Sequence, residues 1–395
     1  MSRMIAWFTA TWIVLRKELL DGVRDRRSLF SMLLYPLLGP LLSGMLFGFI
    51  ADKQRSAAEV PMPIAGQQHA PELVEWLTVA GVEVVDPPDD PRAAVRAGEV
   101  PFVVVVPESF GESVAQGTTV QLELIVDGSR NDSRPAVGHA QKLLNYFGED
   151  LSNRRLLARG IDPELVKPIR VAEVEVASEQ ELATSVFGFV PMFVLMATFI
   201  GGMQLAMDAT AGERERGSLE PLLLNPVPRA AIVVGKWLAA LAFALVCVVL
   251  TLLCCVFVLE YTPVRDLGLS LELGPVALLL VLCAAAPMAL MATAIQVLIA
   301  SFARSYKEAQ TYVSLLMFVP MVPAMVGMTM GLDRSIGALL VPGLGQQIVV
   351  EQVFGGGETG VLDFVLPMVS ALAIAGACVW LTAWMFRREA VVFGR

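Results

Sequence analysis

The chain has 395 residues, of which 55% are hydrophobic and 17% are charged, whereas soluble domains carry roughly 25% charged residues. Residues 51–182 hold 12 Lys and Arg against 22 Asp and Glu, a net charge of −10, while the rest of the chain holds 17 against 16. The acidity of this segment excludes nucleic acid as a partner, which requires a basic surface, and its lack of cysteine excludes a disulfide framework.

Residues 1–27 predict an amphipathic helix at the cytoplasmic surface of a membrane. Their apolar side chains recur three and four positions apart and share one helical stripe, made of Ile5, Phe8, Trp12, Leu15 and Leu19. A basic amphipathic helix beside a membrane span is typical of the lipid interface. It either anchors the chain or acts as a lever that also touches a partner protein.

Its apolar run lacks the small-residue cleavage site of a signal peptide, so we expect it to stay in the mature chain.

Six stretches are long and apolar enough to cross the hydrocarbon core, which takes about 20 apolar residues. They are Leu29–Ile50, Ser185–Met207, Ala231–Leu259, Gly274–Phe302, Thr311–Met330 and Phe364–Phe386. The region of the first transmembrane helix is residues 28–50, and the region of the other five is residues 183–390. The predicted fold class is an α-helical polytopic membrane protein with six transmembrane helices and an α/β extracytoplasmic domain inserted between helices 1 and 2.

Residues 51–182 alternate between strand-like and helix-like patterns, which predicts the small α/β domain. We expect strands over Val60–Ile64, Val82–Val85, Phe102–Val106, Thr119–Val126 and Arg170–Val176, and helices over Pro71–Ala80, Pro91–Ala97, Glu108–Ala115 and Arg134–Arg159. The apolar third strand suits a central position covered on both faces. The histidines His69 and His139 lie in this segment without the spacing of a metal site or a catalytic triad, so no enzymatic activity is predicted.

Positive charge is concentrated in the loops on one side of the predicted spans. The N-terminal segment, the loops after spans two and four and the C-terminal tail carry 15 Lys and Arg, including Lys236 at the start of span three, against 2 in the short loops opposite. Cytoplasmic loops of membrane proteins are enriched in Lys and Arg. Both termini are therefore predicted to be cytoplasmic, and residues 51–182 to be extracytoplasmic.

The spans lack the chemistry of several classes of membrane machine. Five of the six spans contain no Asp, Glu, Lys, Arg or His. Span three contains one such residue, Lys236, whose ammonium is expected to snorkel to the interface. This argues against a proton-driven transporter and against a membrane metalloenzyme, which place ionisable groups at membrane depth. No G-x-x-x-x-G-K-[ST] phosphate loop is present, so the chain is not expected to bind ATP itself.

The loop after span two, residues 208–230, combines alternating charges, an apolar cluster and three prolines. Glu213 and Arg216 suit a short exposed helix with an i,i+3 pair, and the last two prolines end helical structure before span three. The apolar cluster Leu219–Leu224 predicts either a docking surface or contact with the membrane interface.

The chain resembles the ABC-2-type exporter permeases in the run GERERGSLEPLLLNPVPR followed by GKW. The N-terminal RKELLDGVRDRRSLF, one span, a large insert and five further spans resemble the sodium-extrusion-type branch in order. In that family the loop forms a coupling helix, which sits in a cleft of a separate ATPase subunit. The resemblance implies coupling residues Glu213, Arg214, Glu215, Arg216, Gly217, Ser218, Leu219, Glu220 and Pro221, and a second contact at Arg304, Tyr306, Lys307 and Glu308.

The resemblance also implies that residues 341–357, VPGLGQQIVVEQVFGGG, fold back as short re-entrant helices near the outer face. The alternative is an ordinary extracellular loop with one short helix. Candidate pathway or exit residues are Gln204, Gln296, Gln346, Gln347 and Glu351. The first two either hydrogen-bond between helices or line a polar translocation path.

By resemblance, the chain is expected to be the permease subunit of an ATP-binding-cassette exporter, multi-pass in the bacterial inner membrane. ATP and Mg belong to the partner ATPase, and a second permease half, identical or different, completes the pathway. The substrate classes are sodium ions, small organic molecules, drugs or lipids. The alternative is a membrane-anchored receptor or structural protein of permease-like fold that acts through residues 51–182.

Overall fold

The computed structural model describes residues 2–58, 60–130, 132–166, 188–261, 274–330 and 334–387. They form two compact units: the membrane unit, Met1–Phe47 with Ala177–Arg395, and the α/β unit, Gly48–Val176. Each unit has a hydrophobic core of its own.

Helix α1, Ser2–Arg24, packs through one end of its predicted apolar stripe and through a second row of side chains beside it. Phe8 and Trp12 on the predicted stripe are exposed, whereas Val14 and Glu18 on another face are buried. The N-terminal part of the stripe is therefore free to contact lipid, as expected of an interfacial helix, whereas Leu15 and Leu19 at its other end pack against the core of the membrane unit. The helix is also held by a neighbouring row of side chains that includes a buried carboxylate.

Helix α2, Arg26–Ala58, contains two prolines, Pro36 and Pro40. A proline has no N–H, so Pro36 leaves the carbonyl of Met32 without its usual helical donor. The Cys247 thiol donates to that carbonyl at 3.8 Å. In the membrane unit this cysteine thus packs as a small apolar residue and also satisfies a backbone acceptor, which matters where water is excluded.

The α/β unit contains a mixed four-stranded sheet. Its elements are β1 Met62–Ala65, α3 Pro71–Val79, β2 Val84–Val85, α4 Pro91–Ala97, β3 Phe102–Val105, α5 Phe110–Gln116, β4 Glu123–Val126, α6 Arg134–Ala158 and α7 Pro163–Val166. The strand order is β2-β1-β3-β4, with β1 parallel to β2 and β3, and β4 antiparallel to β3. The apolar strand β3 is interior, as its sequence predicts. The predicted strand Arg170–Val176 lies outside the described residues.

The membrane unit continues with a series of helices of very different lengths. They are α8 Phe189–Met207, α9 Glu213–Glu215, α10 Leu219–Leu224, α11 Arg229–Tyr261, α12 Pro275–Phe302, α13 Tyr306–Ser314, α14 Phe318–Met330, α15 Ile336–Leu340, α16 Leu344–Phe354 and α17 Val361–Met385. Helix α8 contacts both α11 and α12, and α12 contacts α17. The core of the unit lies among these long helices.

Five stretches of the described residues form helices long and apolar enough to cross a membrane: Leu29–Phe49, Val190–Glu215, Arg229–Tyr261, Pro275–Phe302 and Val361–Met385. The predicted span Thr311–Met330 is divided, because α13 ends at Ser314 and a 3₁₀ turn covers Leu315–Met317 before α14 begins. Pro320 has no N–H, and it lies in the first turn of α14, where helical N–H groups lack partners. The six-span count stays a prediction.

Two adjacent glycines let α8 approach its neighbours closely. A Cβ on Gly201 would lie 2.4 Å from the Cβ of Cys247 on α11. A Cβ on Gly202 would lie 2.5 Å from the Cγ2 of Thr293 on α12. Small residues at such contacts allow membrane helices to pack with their backbones close together.

Helix α16 lies within residues 341–357, the segment for which re-entrant helices are predicted, and α15 ends just before that segment. Gly343 makes the turn between them with φ at 89°, a conformation that favours glycine. Val349 and Val350 of α16 are buried in the main core of the membrane unit. The segment therefore contains one buried helix, and the re-entrant interpretation stays a prediction.

A buried carboxylate fixes the start of α17. Asp363 accepts a hydrogen bond from Arg334 Nε at 2.9 Å and another from the Gly360 amide at 2.6 Å. Replacing it with Asn is expected to lower the free energy of unfolding by about 1.5–3 kcal/mol, the usual contribution of hydrogen bonds to a charged group. Denaturant unfolding of the full chain in detergent micelles measures this loss.

The matched control for this prediction is Glu358→Gln, the same neutralisation on an exposed side chain nearby. It is expected to change the free energy of unfolding by less than about 0.5 kcal/mol. Equal losses in the two variants would contradict a specific role of Asp363.

Candidate functional site

The loop between α8 and α11 begins as a continuation of α8. A π-helical turn, Asp208–Gly212, joins α8 to the short α9. The chain then reverses at Gly217, whose φ is 68°, and Ser218 donates its amide to the Glu213 carbonyl at 3.0 Å. Left-handed glycine ends helices in this way. The predicted short charged helix is therefore present, but it is the end of a membrane-spanning helix.

A buried lysine joins this loop to two other helices. Lys236 on α11 is 1% exposed. Its Nζ lies 2.7 Å from Glu18 Oε1 on α1, 2.6 Å from Glu213 Oε2 on α9, and 2.7 Å from the Ala209 carbonyl in the π turn. The prediction that Lys236 snorkels is wrong, because two carboxylates and a carbonyl satisfy its ammonium inside the protein.

A second lysine completes the charge balance of this cluster. Lys17 on α1 is half-exposed and pairs with Glu213, and its Nζ lies 3.1 Å from Glu18 Oε1. Burial lowers the pKa of Lys17, but hydrogen bonds and charges from both carboxylates outweigh that effect and hold the pKa above its ordinary value. We call Lys17, Glu18, Glu213 and Lys236 the hub; it contains two cations and two anions.

The loop also contacts the segment between α12 and α13. Arg214 donates to the Ala303 carbonyl at 2.8 Å, and Glu215 accepts the Tyr306 amide at 2.7 Å. The Tyr306 hydroxyl also hydrogen-bonds Gln204 on α8. The two segments for which partner contacts are predicted therefore lie side by side and are tied together.

Local hydrogen bonds hold the start of α13. Ser305 Oγ caps the helix by accepting the Glu308 amide at 3.3 Å. The Arg304 amide and the Tyr312 hydroxyl donate to the Glu308 carboxylate at 2.7 and 3.0 Å. These bonds hold the pKa of Glu308 below its ordinary value.

Six of the nine predicted coupling residues are exposed: Glu215, Arg216, Gly217, Ser218, Glu220 and Pro221. Glu213 is buried in the hub, and Arg214 is half-buried. Leu219 is buried against Val233 and Phe386. The predicted exposed leucine patch is thus wrong at Leu219, although Leu224 at its other end is 80% exposed.

The candidate pathway residues lie in two regions. Gln296 on α12 donates to the Phe199 carbonyl on α8 at 2.6 Å, which is the interhelical bond that packing alone would require. On α16, Gln346 accepts from the Gly343 amide at 2.6 Å and donates to a carbonyl of α17. Gln347 donates to Glu351 Oε1 at 2.5 Å. A pathway role for these residues stays a prediction.

Sequence reasoning missed Lys17 and Glu18, and it gave Lys236 a different environment. A lone lysine in an apolar span was the available signal, because such a residue normally has a partner. Among the described residues, no group of three or more His, Cys, Asp or Glu side chains is placed to hold a metal ion.

The chain is similar in sequence to known membrane transport proteins. The family model of ABC-2 family transporter proteins matches residues 26–383. The ABC transporter permease protein NatB of Bacillus subtilis (strain 168) is 28% identical over 323 residues, which cover 78% of this chain and 80% of NatB. The probable multidrug ABC transporter permease YbhR of Escherichia coli (strain K12) is 25% identical over 251 residues, covering 60% of this chain and 62% of YbhR.

Proposed function

The chain belongs to the ABC-2 family of transporter proteins, and on that premise we propose that it is the membrane-spanning permease subunit of an ATP-binding-cassette exporter. The observation that carries the proposal is the family match, which extends across 26–383 and includes the loop between α8 and α11. A separate ATPase subunit binds ATP and Mg and hydrolyses the nucleotide. Two permease halves enclose the translocation pathway.

The proposed topology has both termini in the cytoplasm and residues 51–182 outside. The excess of Lys and Arg on one side of the spans supports this orientation. The divided helix pair α13–α14 supplies the sixth span, and α15 with α16 forms the re-entrant element near the outer face. The burial of α16 within the membrane unit supports that position.

The proposed ATPase contact is the exposed surface of α9 and α10, from Glu215 to Pro221. The hydrogen bonds of Arg214 and Glu215 to the 303–306 segment give this surface a fixed shape. Arg304 and Lys307 are exposed beside it and form the second contact. Closure of the ATPase pair on ATP then presses on this surface and moves the helices attached to it.

Co-purification tests the proposal directly. The detergent-solubilised full chain is expected to recover a nucleotide-hydrolysing subunit from its own membranes. Recovery of the intact chain without such a subunit, with ligand binding confined to residues 51–182, would instead favour the receptor alternative.

Reversing one exposed charge is expected to weaken that association. Glu220→Lys should raise the Kd for the ATPase subunit about tenfold, equivalent to about 1.4 kcal/mol, because Glu220 is an exposed charge within the proposed contact. Binding of the purified subunit to the immobilised permease measures the change. Glu112→Lys, an exposed reversal in the α/β unit, is the control and should leave Kd unchanged; equal weakening would place the contact elsewhere.

The substrate class is the part of the proposal that transport assays decide. The name of YbhR as a probable multidrug permease supports a small organic molecule, and the charge-poor spans disfavour an ion path. ATP-dependent uptake of a cationic dye into inverted membrane vesicles, compared with uptake of radioactive sodium ions, separates these classes.

A further inference from the structure

The hub connects three parts of the membrane unit that are far apart in sequence. Glu18 lies on α1, Glu213 on α9 and Lys236 on α11. We propose that Lys236 and Glu18 are positioning residues that make α1 and α11 move together with the loop at which the ATPase docks. This inference rests on the proposed function. It means that side chains outside the docking surface transmit the movement of the ATPase to the membrane helices.

Three side chains of the hub are buried, where stabilisation alone is a weak reason for an ion cluster. The side chains of Lys236, Glu18 and Glu213 are 1%, 3% and 5% exposed. Removing such charges from water is unfavourable, and well-packed apolar residues of similar volume are often as stabilising. What an ion cluster adds is a defined register between the elements that it joins. The hub is therefore suited to holding α1, the loop and α11 in one arrangement.

The π turn gives Lys236 a direct hold on the loop backbone. Lys236 donates to the Ala209 carbonyl inside the Asp208–Gly212 turn. π turns inside helices recur at functional sites and are local departures from regular helix geometry. Because the same ammonium binds the turn and the Glu213 carboxylate after it, displacement of α9 acts on α11 directly.

Close packing beside the hub makes α1 follow α11. A Cβ on Gly235, one residue before Lys236, would lie 2.8 Å from Val14 Cβ and 3.0 Å from the Thr11 carbonyl of α1. The absence of a side chain at Gly235 lets the two helices meet at the level of the hub. Steric contact and charge pairing therefore act at adjacent positions.

Distance measurements between spin labels test the inference in the full complex. Labels at Ile13 on α1 and at Leu224 on the loop, both exposed, are each paired with a label at the exposed Val361 at the start of α17. Cys283 and Cys378 are first replaced by Ser, because the other three native thiols are buried. Distances are compared before and after trapping of the ATPase with ATP and vanadate.

In the parent protein both distances are expected to shift on trapping. The double variant Lys236→Met with Glu213→Gln is neutral and keeps the Lys17–Glu18 pair. In it, the distance from the loop label at Leu224 to Val361 should shift, and the distance from the α1 label at Ile13 to Val361 should not. Lys236→Arg keeps the cation and should retain both shifts. If the double variant does not fold, Glu213→Gln alone replaces it. This change removes the carboxylate through which the loop pairs with Lys17 and Lys236 and keeps the Lys236–Glu18 pair between α11 and α1, so the expected outcome is the same.

A full α1 shift in the variants that lack the hub overturns the inference and leaves the proposed function intact. Absence of any shift in the parent protein, together with failure to recover an ATPase, overturns the proposed function itself. Loss of both shifts in a folded variant, with the ATPase still bound, also overturns the inference, because the loop would then not move independently.

Discussion

Replacing Lys236 with Met is expected to lower the free energy of unfolding of the membrane unit by about 3–5 kcal/mol, the usual cost of removing one partner from a buried ion pair. Glu18 and Glu213 remain buried after the change, and Lys17, half-exposed, is left to balance both carboxylates. The Ala209 carbonyl also loses its donor. Denaturant unfolding of the detergent-solubilised chain measures the loss.

The control is Lys307→Met, which removes an exposed lysine from the same unit and should change the free energy of unfolding by less than about 0.5 kcal/mol. The double variant Lys236→Met with Glu213→Gln should recover much of the lost free energy of unfolding, because the effects of substitutions within one ion-pair network are not additive. Additive losses in the double variant would show that Lys236 and Glu213 do not act as a pair.

Replacing Gly201 with Ala is expected to cost about 1–3 kcal/mol, as overpacking of a close-packed interior usually does. The new Cβ would lie 2.4 Å from the Cβ of Cys247 and 2.8 Å from the Cα of Ala244. Both are rigid atoms of α11, so α8 and α11 must move apart. The separation also disturbs α12, which packs against the adjacent Gly202.

Gly376→Ala on α17 is the matched control, because a Cβ there meets no atom within 4 Å. Removing a helical glycine in open space favours the helix slightly, by up to about 1 kcal/mol. Thermal unfolding of the two variants side by side gives the comparison. A Gly201→Ala variant as stable as Gly376→Ala would mean that α8 and α11 do not pack as closely as described.

The elements that the sequence predicted well are those with a strong local pattern. Helices over Pro71–Val79 and Pro91–Ala97 begin at their prolines, and the latter is capped by Asp90, as capping rules require. The long apolar runs likewise became membrane-capable helices. Hydropathy did not show that Thr311–Met330 is divided by a 3₁₀ turn at Leu315–Met317, because mean hydropathy does not register backbone geometry.

The loop at residues 208–230 was recognisable because its charges and prolines follow one another along the chain. The connection of this loop to α1 through Lys236 and Glu18 could not be recognised from the sequence, because the two residues are 218 positions apart and no periodicity relates them. Glu18 lies off the apolar stripe of α1, so the amphipathic pattern does not indicate that it is buried.

Composition and hydropathy were enough to recognise a membrane protein with an acidic insert, and family resemblance located the charged loop. Which of those charges face solvent and which are buried became known only from the folded protein. The physical reason is that hydropathy and periodicity are local properties of the chain, whereas the energy of a buried charge depends on partners that folding brings from distant segments. Glu213 and Glu215 look alike in sequence, yet one lies inside the hub and the other on the surface.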